Sequence, residues 1–364
     1  MVWTAADKSV KGERKARGAM SNRSGRFERL SQDTLLDDWG LGDDQDPPGI
    51  RTKVRIEQAR TAISWNTSPD LPFDRSVNPY RGCEHGCIYC FARPSHAFLG
   101  MSPGLDFETR LIARPNIAEA LRQDLAKPAY RVAPIAIGTN TDPYQPIERD
   151  LKITRSVLVA LEEARHPMAI VTKGALIEQD IDILERMAAE GLVRVGISVT
   201  TLDPALSRKM EPRAPLPARR LEIIRRLTAR GIPVRVMASP IVPGLTDPEL
   251  EAILAAGRQA GAASSSWIML RLPREVSEIW QEWLREAFPE RAEKVMSRLR
   301  EMHSGKEYDS DWHHRMRGQG RYAELIAARF RLASQRLGFH EPPHPLRTDL
   351  FRRPAKDSRQ MSLL

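Results

Sequence analysis

The sequence predicts an α/β protein in which parallel strands form a sheet or barrel, and three observations point that way. Apolar runs of strand length alternate with stretches of helical period from Ala133 to Leu272, and strand followed by helix in strict alternation implies right-handed parallel crossovers. With 364 residues the chain is long enough to bury one large core. No Gly-rich nucleotide fingerprint follows the first strand, which sets a doubly wound open sheet behind a barrel.

Taken in order, residues 1–50 are polar and rich in charge and end in Asp44-Gln45-Asp46-Pro47-Pro48-Gly49. Such a composition buries little, so a mobile tail is expected, with the basic residues between Lys11 and Arg29 solvated. From Thr52 the chain becomes structured, and Arg75 to Gly82 reads as a short strand leading into a cysteine-rich loop. The next strands are Ala133–Gly138, Met168–Thr172, Val193–Val199, Pro233–Ser239 and Trp267–Leu272. Helical periodicity falls between them at Ile153–Ala164, Ile181–Glu190, Pro217–Arg230 and Pro248–Ala260. A core over 51–275 is followed by a helical extension over 276–340, with helices at Val276–Glu286, Glu290–Met302 and Gly320–Leu337 whose apolar faces should pack on the barrel. Between the last two, His313 and His314 are adjacent and cannot face the same way on a helix, so they read as structural. Residues 341–364 form a basic tail with Phe351 placed to dock.

Composition narrows the function classes. No run of eighteen or more apolar residues occurs and the first residues carry no apolar signal segment, which predicts neither a membrane span nor export and hence a reduced, cytoplasmic setting. The net charge of +9 suits a polyanion such as nucleic acid. The positive residues are scattered, however, and no zinc-finger, helix-turn-helix or RNP-like motif accompanies them.

All three cysteines of the chain fall in Cys83-Glu84-His85-Gly86-Cys87-Ile88-Tyr89-Cys90. Three thiolates on one short loop can hold three corners of an iron-sulfur cube and leave one iron open to a small molecule. Packing as small hydrophobes does not account for three at this spacing and none elsewhere. A structural zinc with three Cys and either His85 or His96 is the rival, although no second ligand knuckle is visible. Disulfides would leave an odd thiol and suit a secreted protein.

The Cys-x3-Cys-x2-Cys spacing, with aromatic Tyr89 before the last cysteine, resembles the radical S-adenosylmethionine (SAM) superfamily. Together with Asn140-Thr141-Asp142-Pro143-Tyr144-Gln145-Pro146 it resembles the spore photoproduct lyase-like branch, also called DNA repair photolyase-like, over residues 75–275. The resemblance implies a partial (β/α)6 barrel, a 4Fe-4S cluster on Cys83, Cys87 and Cys90, and SAM on the open iron. The implied chemistry is reductive cleavage of SAM to a 5'-deoxyadenosyl radical that takes hydrogen from a substrate, fed by an electron donor such as flavodoxin or ferredoxin.

It further implies site residues at the carboxyl ends of the strands. Tyr89 lies beside the adenine, Thr141 and Asp142 at the SAM amino group, Lys173 at the SAM carboxylate, and Ser198 adds a hydrogen bond. Ala238 to Asp247 resembles the adenine-side loop. Arg271 is expected at the barrel mouth, gripping a phosphate or carboxylate, or paired with a buried acid. Photoproduct lyases carry a donor cysteine near the end of the second strand and a tyrosine directly after the third cluster cysteine, where this chain has Asn140 or Thr141, and Phe91. Hydrogen return then falls to Tyr89, Tyr144 or the deoxyadenosine, or the reaction is a different one. The implied substrate is a nucleic acid lesion or modified nucleotide; a peptide or small metabolite is the alternative, and a zinc-stabilised nucleic-acid-binding module is the alternative from another class.

Overall fold

A computed structural model describes residues 16–27, 50–339 and 345–355. Six parallel strands carry the fold: β1 (Arg75–Val77), β2 (Ile135–Ile137), β3 (Met168–Thr172), β4 (Val193–Ser198), β5 (Val234–Ile241) and β6 (Ser264–Met269). They pair in sequence order, β6-β5-β4-β3-β2-β1, and Ile63–Trp65 adds an antiparallel edge beyond β1. The crossovers are α1 (Ile117–Ala126), α2 (Ile153–Glu163), α3 (Ile181–Ala189), α4 (Pro217–Ala229) and α5 (Leu250–Gln259). This is the expected partial (β/α)6 barrel. Its strands read as near-continuous apolar runs because helices cover one face and the barrel interior the other; Ile137, Ile170, Val195, Ile197 and Val236 are almost fully buried.

Two local expectations are corrected, and one helix had none. The stretch Arg75 to Gly82 is two strands rather than one, β1 and Tyr80–Arg81, which belong to different sheets; Pro79 between them has no N–H to continue a ladder. The last strand begins at Ser264, three residues earlier than the apolar run suggested. Ser264, Ser265 and Ser266 look like a loop, yet they pair with Arg235, Val236 and Met237 of β5. Arg271 therefore lies past the strand end. The helix α1 had no expectation attached to it, because its apolar stripe is interrupted by Glu119, Arg122, Gln123 and Asp124.

Part of the stretch expected as a mobile tail is firmly packed, and the rest lies outside the described residues. The Gly18 and Ala19 N–H groups donate to the buried Glu108 carboxylate at 2.9 and 2.8 Å. Arg17 reaches the Glu108 and Ile50 carbonyls at 2.9 and 2.8 Å. A second, smaller sheet lies beside this strap, with Lys53–Ile56 parallel to Arg110–Ala113, which is antiparallel to Tyr80–Arg81.

The extension forms α6 (Glu275–Ala287), α7 (Ala292–Met302) and α8 (Gly320–Arg336). It is tied to the barrel by Tyr322 donating to Asp247 at 2.6 Å and by an Arg329–Glu251 ion pair. Phe351 docks as expected, edge-on to His166 at 5.3 Å between ring centroids. His313 and His314 are exposed.

Candidate active site

The cysteine loop leaves the small sheet at Arg81 and runs over the carboxyl ends of β1 to β4. Its path is set by backbone bonds. The Cys83 N–H donates to Phe107 at 2.9 Å, Gly86 to Cys83 at 3.4 Å and Cys90 to Cys87 at 3.2 Å. Gly86 sits at φ 66°, where a side chain is disfavoured. All three cysteines face one cavity together with His85, Tyr89, Phe91, residues 138–142, Thr172, Lys173, Ser198, Ser239 and Arg271. The cavity encloses about 180 Å³ and opens to solvent at its mouth.

Buried charges hold the loop from behind. Arg93, fully buried, donates to the Cys87 carbonyl at 3.1 and 3.0 Å, to the Pro103 and Gly104 carbonyls at 3.1 and 2.9 Å, and to Glu108 at 2.5 Å. The Ile88 N–H donates to the Met210 carbonyl at 3.0 Å. Tyr89 hydroxyl donates to Glu211, which is ion-paired with Arg220 and accepts from Thr200 at 2.8 Å. Burial works against the Glu211 charge, but Arg220 and Lys173 outweigh it and hold its pKa down at about 2. Neither Glu108 nor Glu211 stood out in the sequence. Glu108 sits in a one-turn helix and Glu211 just past a helix end, and the partners of each lie on other elements.

Asp142 is a hub. Its carboxylate accepts from the Thr172 hydroxyl at 2.6 Å, the Lys173 N–H at 2.9 Å and the Tyr144 N–H at 2.9 Å, and lies 3.3 Å from His85 Nδ1. Burial opposes the charge, yet His85, Thr172 and the Lys173 amide hold the carboxyl below the usual carboxylate range. Asp142 thus joins the cysteine loop to the ends of β2 and β3. Thr141 lines the cavity, but its hydroxyl donates to the Gly82 carbonyl at 2.7 Å and accepts from Gln145 at 3.0 Å.

Lys173 is differently placed. Its ammonium lies 5.7 Å from the Tyr89 ring centroid and makes no hydrogen bond or ion pair among the described residues. Burial alone would lower its pKa, but the charges of Cys87 and Glu211 raise it, so it stays cationic. Ser198 lines the same wall, its carbonyl held by Arg220 at 3.1 Å. Arg271 reaches the mouth, 5.0 Å from the centroid of the half-exposed Phe91 ring, and among the described residues its buried Nε has no partner and no buried acid pairs with it.

Tyr144 requires a correction. Its ring is buried outside the cavity and its hydroxyl donates to Asp180 at 3.0 Å. Close packing against Gly174, where a Cβ would come within 2.2 Å of the Tyr144 carbonyl oxygen, fixes it there.

The donor set, three cysteines facing one cavity, fits an iron-sulfur cluster. His96 is turned away, its Nε2 3.0 Å from the Arg110 carbonyl, while His85 lines the cavity with its Nδ1 3.3 Å from Asp142. Burial pushes the Cys87 thiol up to about 12 and raises Cys83 and Cys90 as well. As bare thiols they are poor nucleophiles, and binding to iron is what would make them thiolates.

A family model described as the radical SAM superfamily matches residues 77–256. Uncharacterized proteins of Mycobacterium tuberculosis and Mycobacterium bovis are each 37% identical over 277 residues, covering 76% of this chain and 78% of theirs. One of Methanocaldococcus jannaschii is 26% identical over 200 residues, 55% of this chain and 73% of its own. Among solved structures, spore photoproduct lyase complexed with dinucleoside spore photoproduct superposes with a TM-score of 0.56 at 14% identity, covering 78% of this chain and 79% of that one. A mutant of the lyase with bound AdoMet and the dinucleoside gives 0.51 at 14% identity over the same shares. At these identities the likeness to the lyase is one of fold.

Proposed function

The chain belongs to the radical SAM superfamily and shares the fold of spore photoproduct lyase, and from that premise we propose that it is a radical SAM enzyme acting on a nucleic acid lesion or modified nucleotide. The family's cofactors are a 4Fe-4S cluster and SAM. When bound, they supply one-electron cleavage of a carbon-sulfur bond and a 5'-deoxyadenosyl radical that takes hydrogen from the substrate.

The observation that carries the reading is the meeting, in one cavity, of the three cysteines and a lysine that has no ion-pair partner among the described residues. In this reading Cys83, Cys87 and Cys90 hold three irons. Lys173 pairs with the SAM carboxylate, and Ser198 donates a hydrogen bond to the cofactor. The turn after β2 faces the amino group, with Asp142 positioning that turn and Thr141 contributing its backbone. Tyr89 packs by its ring beside the adenine while Glu211 and Thr200 hold its hydroxyl. Neither tyrosine is assigned hydrogen return, since the Tyr89 hydroxyl donates to Glu211 and Tyr144 lies outside the cavity.

At the mouth, the exposed face of Phe91 and the guanidinium of Arg271 suit a planar base next to a phosphate, and the net charge of +9 favours the same class. A one-electron protein such as flavodoxin or ferredoxin supplies the reducing equivalent, in the cytoplasm where an oxygen-sensitive cluster survives. No described helix is long and apolar enough to cross a membrane. The test is SAM cleavage by the anaerobically reconstituted protein with oligonucleotides carrying deuterated lesions or modified nucleotides. Deuterium in 5'-deoxyadenosine identifies the substrate; transfer from none of them, with transfer from a peptide or metabolite, removes nucleic acid.

A further inference from the structure

We infer that the outer face of the small sheet is the docking surface for an acidic one-electron carrier protein, a proposal that rests on the radical SAM reading above. Strand register puts the relevant side chains on one face. Lys53 is paired with Arg110, and Arg55 with Ile112, which is itself paired with Arg81. Side chains two apart on a strand point the same way, so Lys53, Arg55, Arg81 and Arg110 share that face around buried Ile112. The side chains of Arg55 and Arg110 are 70% and 56% exposed. Lys53 is exposed and has no ion pair among the described residues.

The negative charge on this face falls well short of the positive. Glu57 is surrounded by three guanidiniums, Arg114 at 2.9 Å, Arg81 at 3.8 Å and Arg55 at 4.0 Å. Arg110 is paired with the mostly buried Asp106 at 3.3 Å. The strand Lys53–Ile56 is also the open edge of its sheet among the described residues, and Val54 and Ile56 are 40% and 52% exposed along it. Val54 and Ile56 alternate to the opposite face of the strand, so recognition on this face rests on its clustered cations, which steer an acidic partner.

Location selects the occupant. Arg81 is two residues from Cys83, and the Phe107 carbonyl, three residues before Arg110, accepts from the Cys83 N–H at 2.9 Å. None of the residues of this sheet lines the cavity, whose mouth is formed by Phe91 and Arg271. A partner seated here lies against the backbone that carries a cluster ligand and leaves the substrate's entrance clear, as an electron donor must. A polyanionic substrate has to reach the mouth instead. The step at the interface makes and breaks no bond: the reduced carrier loses one electron and the iron-sulfur centre gains one.

The test compares the unaltered chain with K53E/R55E and with the milder K53Q/R55Q. Binding of purified acidic flavodoxin and of acidic ferredoxin is measured by NMR or calorimetry over a salt series, beside a single-stranded oligonucleotide. SAM cleavage is driven separately by the carrier and by dithionite. The expected result is carrier binding that weakens with salt, at least tenfold weaker with K53E/R55E and intermediate with K53Q/R55Q, together with unchanged dithionite-driven cleavage. Carrier affinity equal across the three proteins overturns the proposal, as does a loss confined to the oligonucleotide, which would assign the face to nucleic acid. Absence of dithionite-driven SAM cleavage in the unaltered, reconstituted chain overturns the underlying reading and with it the role given to this face.

Discussion

Gly18 lies directly against Gly86 of the cysteine loop: a Cβ added at Gly18 would stand 1.8 Å from the Gly86 carbonyl oxygen. The segment bearing Gly18 therefore belongs to the catalytic core, and any side chain there must push the strap or the loop away. Gly18→Ala should lower the iron retained after anaerobic reconstitution and the melting temperature together, as measured by iron assay and thermal unfolding. Unchanged values for both would show that the strap is dispensable.

Arg93 and Glu108 are both fully buried, and together they join the strap to the Cys87 carbonyl. Removing one partner of such a pair leaves an uncompensated buried charge and costs about 3–5 kcal/mol. Glu108→Ala is expected to lose that much in denaturant unfolding, and more than Glu278→Ala, which removes only an exposed pair with Arg23.

Lys173 can be removed without breaking a hydrogen bond or ion pair of the described protein, so its loss should appear in the cofactor rather than in the fold. Lys173→Met is predicted to raise the apparent Kd for SAM about tenfold, or ~1.4 kcal/mol, with iron content held. Equal SAM affinity would remove Lys173 from the site.

Tyr144→Phe deletes a hydroxyl that donates to Asp180 outside the cavity. It should cost ~1 kcal/mol of stability and leave the rate of SAM cleavage and the destination of isotope label unchanged. A changed label pattern would restore Tyr144 as a hydrogen donor.

His166 supplies a pH dependence. It is fully buried between Tyr130 and Phe351, and burial, aided by the Arg75 charge, lowers its pKa from 6.5 to about 4. The unfolded chain then takes up a proton that the folded chain refuses, so stability is full above pH 6.5 and is lost as pH falls toward about 4. His166→Gln should flatten urea stability between those limits relative to the unaltered chain.

Much of the barrel was legible because its signals are local. Parallel strands covered on both sides must be apolar along their length, and α2 to α5 and α6 to α8 carry clear apolar stripes, so their ends fell within about two residues of expectation. The cysteine loop was legible because three rare residues at fixed spacing, with none elsewhere in the chain, do not arise from packing needs. What escaped depends on contacts made far apart in the chain. Ser264 to Ser266 become strand only because β5 offers free backbone partners. Glu211 matters only once Arg220 and Tyr89 meet it, and Gly18 only once it meets Gly86. Tyr144 was misplaced because a motif gives proximity in sequence, not the direction a ring takes when Gly174 leaves room for it.

On the proposed reading, three cysteines hold a cluster whose remaining iron takes no protein ligand and instead binds SAM. Anaerobic reconstitution followed by metal and sulfide assay and reduction with dithionite in the presence of SAM tests it most directly. The expected result is about four irons and four sulfides per chain, with 5'-deoxyadenosine formed by the unaltered protein and abolished in Cys83→Ala, Cys87→Ala or Cys90→Ala. One zinc per chain, no sulfide and intact SAM would contradict it.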